Sequence, residues 1–218
     1  MGKWSAIAVV SISIAYILTG VVWLALNFNT ARTQGLQPTE PFLAILETLI
    51  LLLTPAIVLL FAAIHAFAPP DRKTCSRAAF GFALLLAGIT GVVHFMQLTA
   101  VRRAPGKQIS ETFALYDATG RLTPMLAADL LAWDFFFGFA LLFAATIFRG
   151  DKLQNAVRVG LLAGGVLCLA GVAGPASGNL RFQYPAIAGY AFIFPAICLL
   201  LVFIFKRDGS AGQESNPV

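Results

Sequence analysis

Asp134 is notable in this sequence because it lies within an otherwise apolar stretch, LAWDFFFGFALLF, at residues 131–143. Burial among aromatic and aliphatic side chains disfavours a carboxylate, since the anion loses its hydration. A carboxyl group that stays neutral in such a setting can donate a proton. Asp134 is therefore a candidate general acid.

Two more titratable residues, Glu47 and His94, lie in similarly apolar stretches. An ionisable group at membrane depth costs at least a few kcal/mol, so it usually faces a cavity, a partner or a pathway. A histidine next to a carboxylic acid supplies the complementary base. We predict that Asp134, His94 and Glu47 are the catalytic residues of one site. The alternative for Asp134 is a purely structural pair with Arg102 or His94.

The elements that would position these residues are six long apolar runs. Hydrophobic residues make up 59% of the 218-residue chain and charged residues only 11%. A helix needs about 20 mostly apolar residues to cross a bilayer, because only its closed ladder of backbone hydrogen bonds is satisfied in hydrocarbon. The sequence therefore predicts an all-α integral membrane protein, a bundle of six transmembrane helices. The predicted helices are residues 5–27, 42–68, 78–101, 126–148, 156–175 and 185–205.

These helices are predicted to form a single domain, residues 1–205. A disordered polar cytoplasmic tail, residues 206–218, is expected to follow, because it has no apolar periodicity. The loop of residues 102–124 is predicted to hold a short interfacial helix near residues 110–116 or to be a plain solvated connector.

The distribution of basic residues predicts the orientation. Nine of the fifteen Lys and Arg residues fall on the side that holds both chain ends, which by the positive-inside rule faces the cytoplasm. These nine are Lys3, Arg72, Lys73, Arg77, Arg149, Lys152, Arg158, Lys206 and Arg207. We expect a multi-pass protein of the cell membrane, specifically a bacterial inner membrane.

Helices of alternating direction place further polar residues in the outer half, level with the predicted catalytic residues. Thr90, His94 and Gln97 share one stripe of the third helix, because they are separated by helical spacings. Asp129 and Asp134 would point about 140° apart on an α-helix, so we assign the deeper Asp134 as the pocket acid. The predicted substrate-binding residues are Gln97, Thr90, Trp23, Asn27, Trp133, Tyr190, Arg181 and Asp129.

An acid, a base and aromatic rings that stabilise a transient cation suit the isomerisation or cyclisation of a lipophilic substrate. We predict an enzyme that acts on an isoprenoid, sterol or lipid-like molecule in an outward-opening intramembrane pocket. A proton-coupled carrier is the alternative, since the same acids can change protonation as a solute passes. A third hypothesis is an assembly protein without a ligand. The glycine ridge at Gly160 and Gly164 would then contact a partner, and it could also join two copies of the chain.

Other functional classes lack their signatures in this sequence. The net charge of +5 lies mostly in loops and tails, which indicates membrane topology rather than nucleic-acid binding. Depth separates His65 from His94 by roughly 20 Å at 1.5 Å per residue, so one haem iron cannot bind both. We predict no cofactor and no metal, and a metal site at Glu47, His94 and Asp134 remains an alternative without a spacing signature.

Overall fold

The computed structural model of the chain describes residues 1–29, 38–103, 115 and 122–214, and side chains as far as Asp208. Within these ranges the chain is helical and has no strand. Six helices are long and apolar enough to cross a membrane, which confirms the predicted all-helical architecture. They are α1 (Gly2–Leu26), α2 (Phe42–Phe67), α3 (Pro70–Val101), α4 (Pro124–Ala145), α5 (Lys152–Ser177) and α6 (Leu180–Asp208).

Most helix ends lie within a few residues of their predicted positions, and the main differences occur where polar residues continue a helix. Helix α3 starts with a 3-10 turn at Pro70–Arg72, before the apolar run predicted from residue 78. The α-helix that begins at Phe194 within α6 continues to Glu214, beyond the apolar span and past the predicted end at residue 205. Composition marks where apolar residues stop, whereas backbone hydrogen bonds decide where a helix stops. The predicted helix near residues 110–116 lies almost wholly outside the described residues, as do the tail residues 215–218.

Each helix packs against the next one in the chain, and α6 packs against α1, so the six helices form a closed ring. Short connections join α2 to α3 and α5 to α6, and neighbouring helices therefore run in opposite directions. The carboxyl ends of α1, α3 and α5 consequently lie level with the amino ends of α2, α4 and α6. We call this end of the ring the site end.

Aromatic side chains fill the middle of the ring. Phe137 of α4 lies edge-on to Phe61 of α2 and to Phe194 of α6, with ring centroids 6.3 and 4.8 Å apart. All three are almost completely buried. Such edge-to-face contacts are favourable because the positive ring edge meets the negative face. We call Phe61, Phe137 and Phe194 the aromatic layer.

The glycine ridge of α5 packs within the chain. A Cβ atom on Gly160 would lie 2.8 Å from Ile197 of α6, and one on Gly164 would lie 3.3 Å from Leu141 of α4. Because glycine has no side chain, it lets a neighbouring helix approach closely. Such close packing holds helices together in lipid, where no hydrophobic force acts between them. The face of α5 that carries Gly160 and Gly164 is therefore occupied by the chain's own helices.

Three helices contain π-helical turns near the site end. These are Gln97–Val101 at the end of α3, Leu131–Phe136 within α4 and Ala188–Ile193 within α6. A π turn contains i→i+5 hydrogen bonds and changes the direction of the side chains around it, and such turns are frequent at functional sites. The turns in α4 and α6 carry Asp134 and Tyr190.

Candidate functional site

His94 lies between two carboxylates near the site end of the bundle. Its Nδ1 is 2.6 Å from Glu47 Oε2, and its Nε2 is 3.5 Å from Asp129 Oδ1. The side chains of His94 and Glu47 are 4% and 0% exposed, and that of Asp129 is 13% exposed. Helices α2, α3 and α4 thus each contribute one titratable residue, and the structure brings the predicted residues Glu47 and His94 into direct contact.

Thr90 positions the second carboxylate of this group. Its Oγ1 donates a hydrogen bond to Asp129 Oδ1 at 3.3 Å. Thr90 lies one helical turn before His94, so both side chains face the same neighbour. We call Glu47, Thr90, His94 and Asp129 the histidine cluster. Thr90 and Asp129 were both predicted to bind substrate, and in this cluster they are hydrogen-bonded to each other.

Asp134 belongs to a second group of polar side chains. Gln183 Nε2 donates to Asp134 Oδ1 at 3.4 Å and to the Tyr190 hydroxyl oxygen at 3.0 Å. The ring of Trp133 packs against that of Tyr190, with centroids 5.2 Å apart. Asp134 is completely buried. We call Asp134, Gln183 and Tyr190 the glutamine cluster.

The second carboxylate in contact with His94 is Asp129, whereas the sequence assigns Asp134 as the pocket acid. The 140° separation between the two acids assumes a continuous α-helix, but the π turn at Leu131–Phe136 interrupts it. The hydrogen bonds of a π turn join residues i and i+5. Two residues five apart therefore point in more similar directions on a π turn than on an α-helix. Asp129 and Asp134 lie five residues apart on one helix, before and within this π turn. The two clusters are therefore adjacent parts of one polar region.

Three buried polar atoms in this region have no hydrogen-bond partner among the described residues. They are Glu47 Oε1, His94 Nε2 and Asp134 Oδ2. A buried polar atom without a partner costs about 1–3 kcal/mol, so native proteins keep few of them and usually for a reason beyond stability. These atoms belong to the three residues that the sequence predicts as catalytic.

Comparison of the chain with protein families, curated proteins and solved structures found no match. The function of the polar region must therefore be inferred from its own geometry.

Two predicted binding residues on α1 stabilise the end of that helix. Trp23 is buried, and its Nε1 donates to Thr39 Oγ1 at 3.2 Å, which ties α1 to the residues preceding α2. Asn27 Nδ2 donates to the backbone oxygen of Trp23 at 3.0 Å. The backbone N–H of Asn27 donates to the same oxygen at 2.9 Å, so Asn27 caps the end of the helix with two hydrogen bonds.

Gln97 and Arg181 also have contacts different from those predicted. The Oε1 of buried Gln97 accepts a hydrogen bond from the backbone N–H of Leu115 at 3.1 Å, so it holds that residue against the bundle. Arg181 is exposed, and its backbone N–H donates to Asn179 Oδ1. Arg102 forms an ion pair with Glu40 at 2.8 Å rather than with Asp134.

Gln183 is a site residue that the sequence reasoning missed. It precedes the apolar run predicted from residue 185, in a stretch interpreted as a connection, and therefore received no role. In the structure it lies in the 3-10 turn Leu180–Gln183 with which α6 begins. Its spacing of seven residues from Tyr190, two helical turns, is the signal that could have placed both on one face.

The other histidine lies away from this region, at the opposite end of the ring. His65 Nδ1 is 2.7 Å from Ser76 Oγ, and Lys73 Nζ donates to the backbone oxygen of His65 at 2.7 Å. These contacts stabilise the end of α2 and the start of the next helix. Within the described ranges, His, Cys, Asp and Glu side chains form no group of three suited to a metal ion.

Proposed function

We propose that this chain is a membrane-embedded enzyme that moves protons on a lipophilic substrate. The reaction would be an isomerisation or a cyclisation of an isoprenoid, a sterol or a lipid-like molecule. The observation that carries this proposal is the set of three buried atoms that make no hydrogen bond within the described residues: Glu47 Oε1, Asp134 Oδ2 and His94 Nε2, the last of which lies 3.5 Å from Asp129 Oδ1. Each belongs to a group that can give or take a proton, and they come from three different helices.

His94 is suited to the role of general base. A carboxylate that accepts the Nδ1–H of a histidine fixes the tautomer and leaves Nε2 with its lone pair. Glu47 Oε2 is positioned to do this at 2.6 Å. When Nε2 takes a proton, Asp129 at 3.5 Å stabilises the resulting imidazolium.

Asp134 is suited to the role of general acid. In a double-bond isomerisation, its proton would form a new C–H bond to one alkene carbon with the electrons of the double bond. His94 Nε2 would remove a proton from a neighbouring carbon, and the electrons of that C–H bond would form the new double bond. Transfer of this proton from His94 to Asp134 then restores the enzyme. The ring of Trp133 packs against that of Tyr190, and Gln183 bonds to both Tyr190 and Asp134, so these rings would be the groups to stabilise the transient cation between the two steps.

The packing of the ring favours an enzyme over a carrier or an assembly protein. A carrier needs a route from the site end to the other end, and the aromatic layer lies between them. An assembly protein of the predicted type needs a free glycine ridge on α5. The chain's own α4 and α6 cover that ridge.

The proposed location is the cell membrane, specifically a bacterial inner membrane, with both chain ends in the cytoplasm. The excess of Lys and Arg on the side of the chain ends supports this orientation. The polar region would then open toward the outer side of the membrane.

Deuterium uptake from solvent tests the proposed reaction. Purified protein in liposomes would be incubated in D2O buffer with squalene, a polyprenol, a sterol and a total membrane lipid extract. The lipids would then be analysed by mass spectrometry. We expect carbon-bound deuterium in one lipid class, because acid/base isomerisation exchanges protons with the solvent through the catalytic groups. His94→Gln should lower uptake by about 10²–10⁴-fold, as is typical for loss of a general base.

His65→Gln is the matched control, because it makes the same change in the only other histidine, at the far end of the ring. It should leave uptake unchanged. Folded wild-type protein that incorporates no deuterium into any of these lipids would refute the proposed function.

A further inference from the structure

Gln183 bonds to Asp134, the proposed general acid, but has no role of its own in the proposed reaction. Its side-chain Nε2 donates to two acceptors, Asp134 Oδ1 at 3.4 Å and the Tyr190 hydroxyl oxygen at 3.0 Å. Gln183 and Asp134 are 8% and 0% exposed. The amide of Gln183 therefore joins α6 to α4 inside the bundle, where water competes little for the acid.

Two glycines near the end of α5 hold the start of α6 in place. A Cβ atom on Gly174 would lie 2.9 Å from Gln183 Cβ and 3.0 Å from the backbone nitrogen of Gln183. One turn away, a Cβ atom on Gly171 would collide with Ala186 Cβ. Glycine at both positions lets the two helices approach this closely. The backbone of Gln183 is thus fixed, and its amide reaches Asp134 from a defined position.

The bond from Gln183 makes the two oxygens of Asp134 different. Oδ1 accepts a hydrogen bond, whereas Oδ2 makes none within the described residues. A protonated carboxyl group has one O–H donor, and its other oxygen is the carbonyl acceptor. An N–H group can only donate. The oxygen that faces the Gln183 amide is therefore the acceptor, and a proton on Asp134 belongs on the other oxygen.

We infer that Gln183 is a positioning residue, which orients the Asp134 carboxyl group so that Oδ1 is the carbonyl oxygen and Oδ2 carries the proton given to the substrate. This inference rests on the proposed function and assigns the reacting atom of its acid. As the proton leaves Oδ2, negative charge develops on the carboxyl group. The hydrogen bond to Oδ1 then becomes charge-assisted and stronger, so Gln183 stabilises the carboxylate left behind.

Infrared spectroscopy tests this assignment without requiring turnover. A protonated carboxyl group absorbs through its C=O stretch, and a hydrogen bond to the carbonyl oxygen lowers the frequency because it weakens the C=O bond. The Asp134 band would be identified in the purified protein at neutral pH as the carboxyl band that Asp134→Asn removes. We expect Gln183→Met to shift this band to higher frequency, because methionine has a similar length but no N–H group.

Gln183→Asn is a second variant, which keeps the test decisive if Gln183→Met fails to fold. It retains an amide on a side chain that is one methylene shorter. From a backbone held against Gly174, this amide would no longer reach Asp134, so the band should again shift to higher frequency.

The matched control is Gln97→Met, the same change at another buried glutamine near the site end. Its amide oxygen bonds to the backbone of Leu115 rather than to Asp134. This control should leave the Asp134 band where it is. A band that stays in place in the Gln183 variants, or a wild-type spectrum from which Asp134→Asn removes no carboxyl band, would overturn the inference.

Deuterium uptake then separates this inference from the proposed function. Gln183→Met should lower the maximal rate of uptake about tenfold, which corresponds to about 1.4 kcal/mol in the barrier. The lipid concentration at half-maximal rate should not change, because Gln183 acts through Asp134 and not on the substrate. A band shift in a protein whose wild type takes up no deuterium would refute the enzyme and keep the placement of the proton. Deuterium uptake with an unmoved band would keep the enzyme and refute the role of Gln183.

Discussion

His94 Nδ1 lies 2.6 Å from Glu47 Oε2, which joins α3 to α2 through two side chains almost fully removed from solvent. Such a pair is weak evidence for net stability, because desolvation offsets much of the attraction. Removing one partner is costly, since the other is left buried without compensation. The pair thus predicts strong coupling between two residues far apart in the chain.

Glu47→Ala should destabilise the protein by about 3–5 kcal/mol, the usual cost of leaving one member of a buried pair alone. In the Glu47→Ala variant, the further change His94→Ala should lower the free energy of unfolding much less than it does in the wild type, because the pair is already broken. Thermal unfolding in detergent of the two single variants and the double variant measures this coupling. Simple addition of the two single effects would contradict it.

Thr90→Val should lower stability by about 0.5–1.5 kcal/mol, because it removes the hydrogen bond to Asp129 and nearly preserves side-chain shape. We also expect this variant to incorporate less deuterium into the lipid that takes up deuterium with the wild-type protein. The reason is that Asp129 would no longer be held near His94 Nε2. Thr99→Val is the control, because its hydroxyl group donates to the backbone oxygen of Phe95 in its own helix. Equal loss of uptake in both variants would show that the Thr90 bond has no special role.

Gly171→Ala should destabilise the bundle by about 1–3 kcal/mol, the typical cost of overpacking. The new methyl group would collide with Ala186 Cβ and lie 3.1 Å from Asp134 Oδ2. Gly88→Ala is the control, because a Cβ atom at Gly88 would meet nothing within 4 Å. We expect that change to be neutral or to stabilise α3 by up to about 1 kcal/mol. Unfolding midpoints that fall equally in both variants would argue against close packing at Gly171.

Asp151 should give the end of the ring opposite the site end a pH-dependent stability. The backbone N–H of Gln154, together with the side chain of Arg207, holds the pKa of Asp151 below its ordinary value. A lowered native pKa adds stability that is complete above the unfolded-state pKa of about 3.9 and disappears as the pH falls through the native value. Asp151→Asn preserves a capping side chain and removes the charge.

Unfolding midpoints of wild type and Asp151→Asn should therefore differ at neutral pH and converge in acid. A difference that stays constant over the whole range would mean that ionisation of Asp151 adds nothing to stability.

The sequence by itself determined the six apolar helices and the level at which the polar side chains lie. It could do so because a helix that crosses hydrocarbon needs about 20 consecutive apolar residues, a requirement that composition satisfies or fails before any packing occurs. Rare acids and histidines in such runs are conspicuous for the same reason. Glu47, His94 and Asp134 could therefore be selected without a structure.

The tertiary structure decided which of these side chains meet. Asp129 rather than Asp134 contacts His94, and Gln183 bonds to Asp134, because helix packing and a π turn set the direction of each side chain. The position of a π turn depends on contacts with neighbouring helices, and no periodicity of the sequence records it. Chain position therefore predicted at which end of the bundle each polar residue lies, whereas its partner followed only from the way the six helices pack.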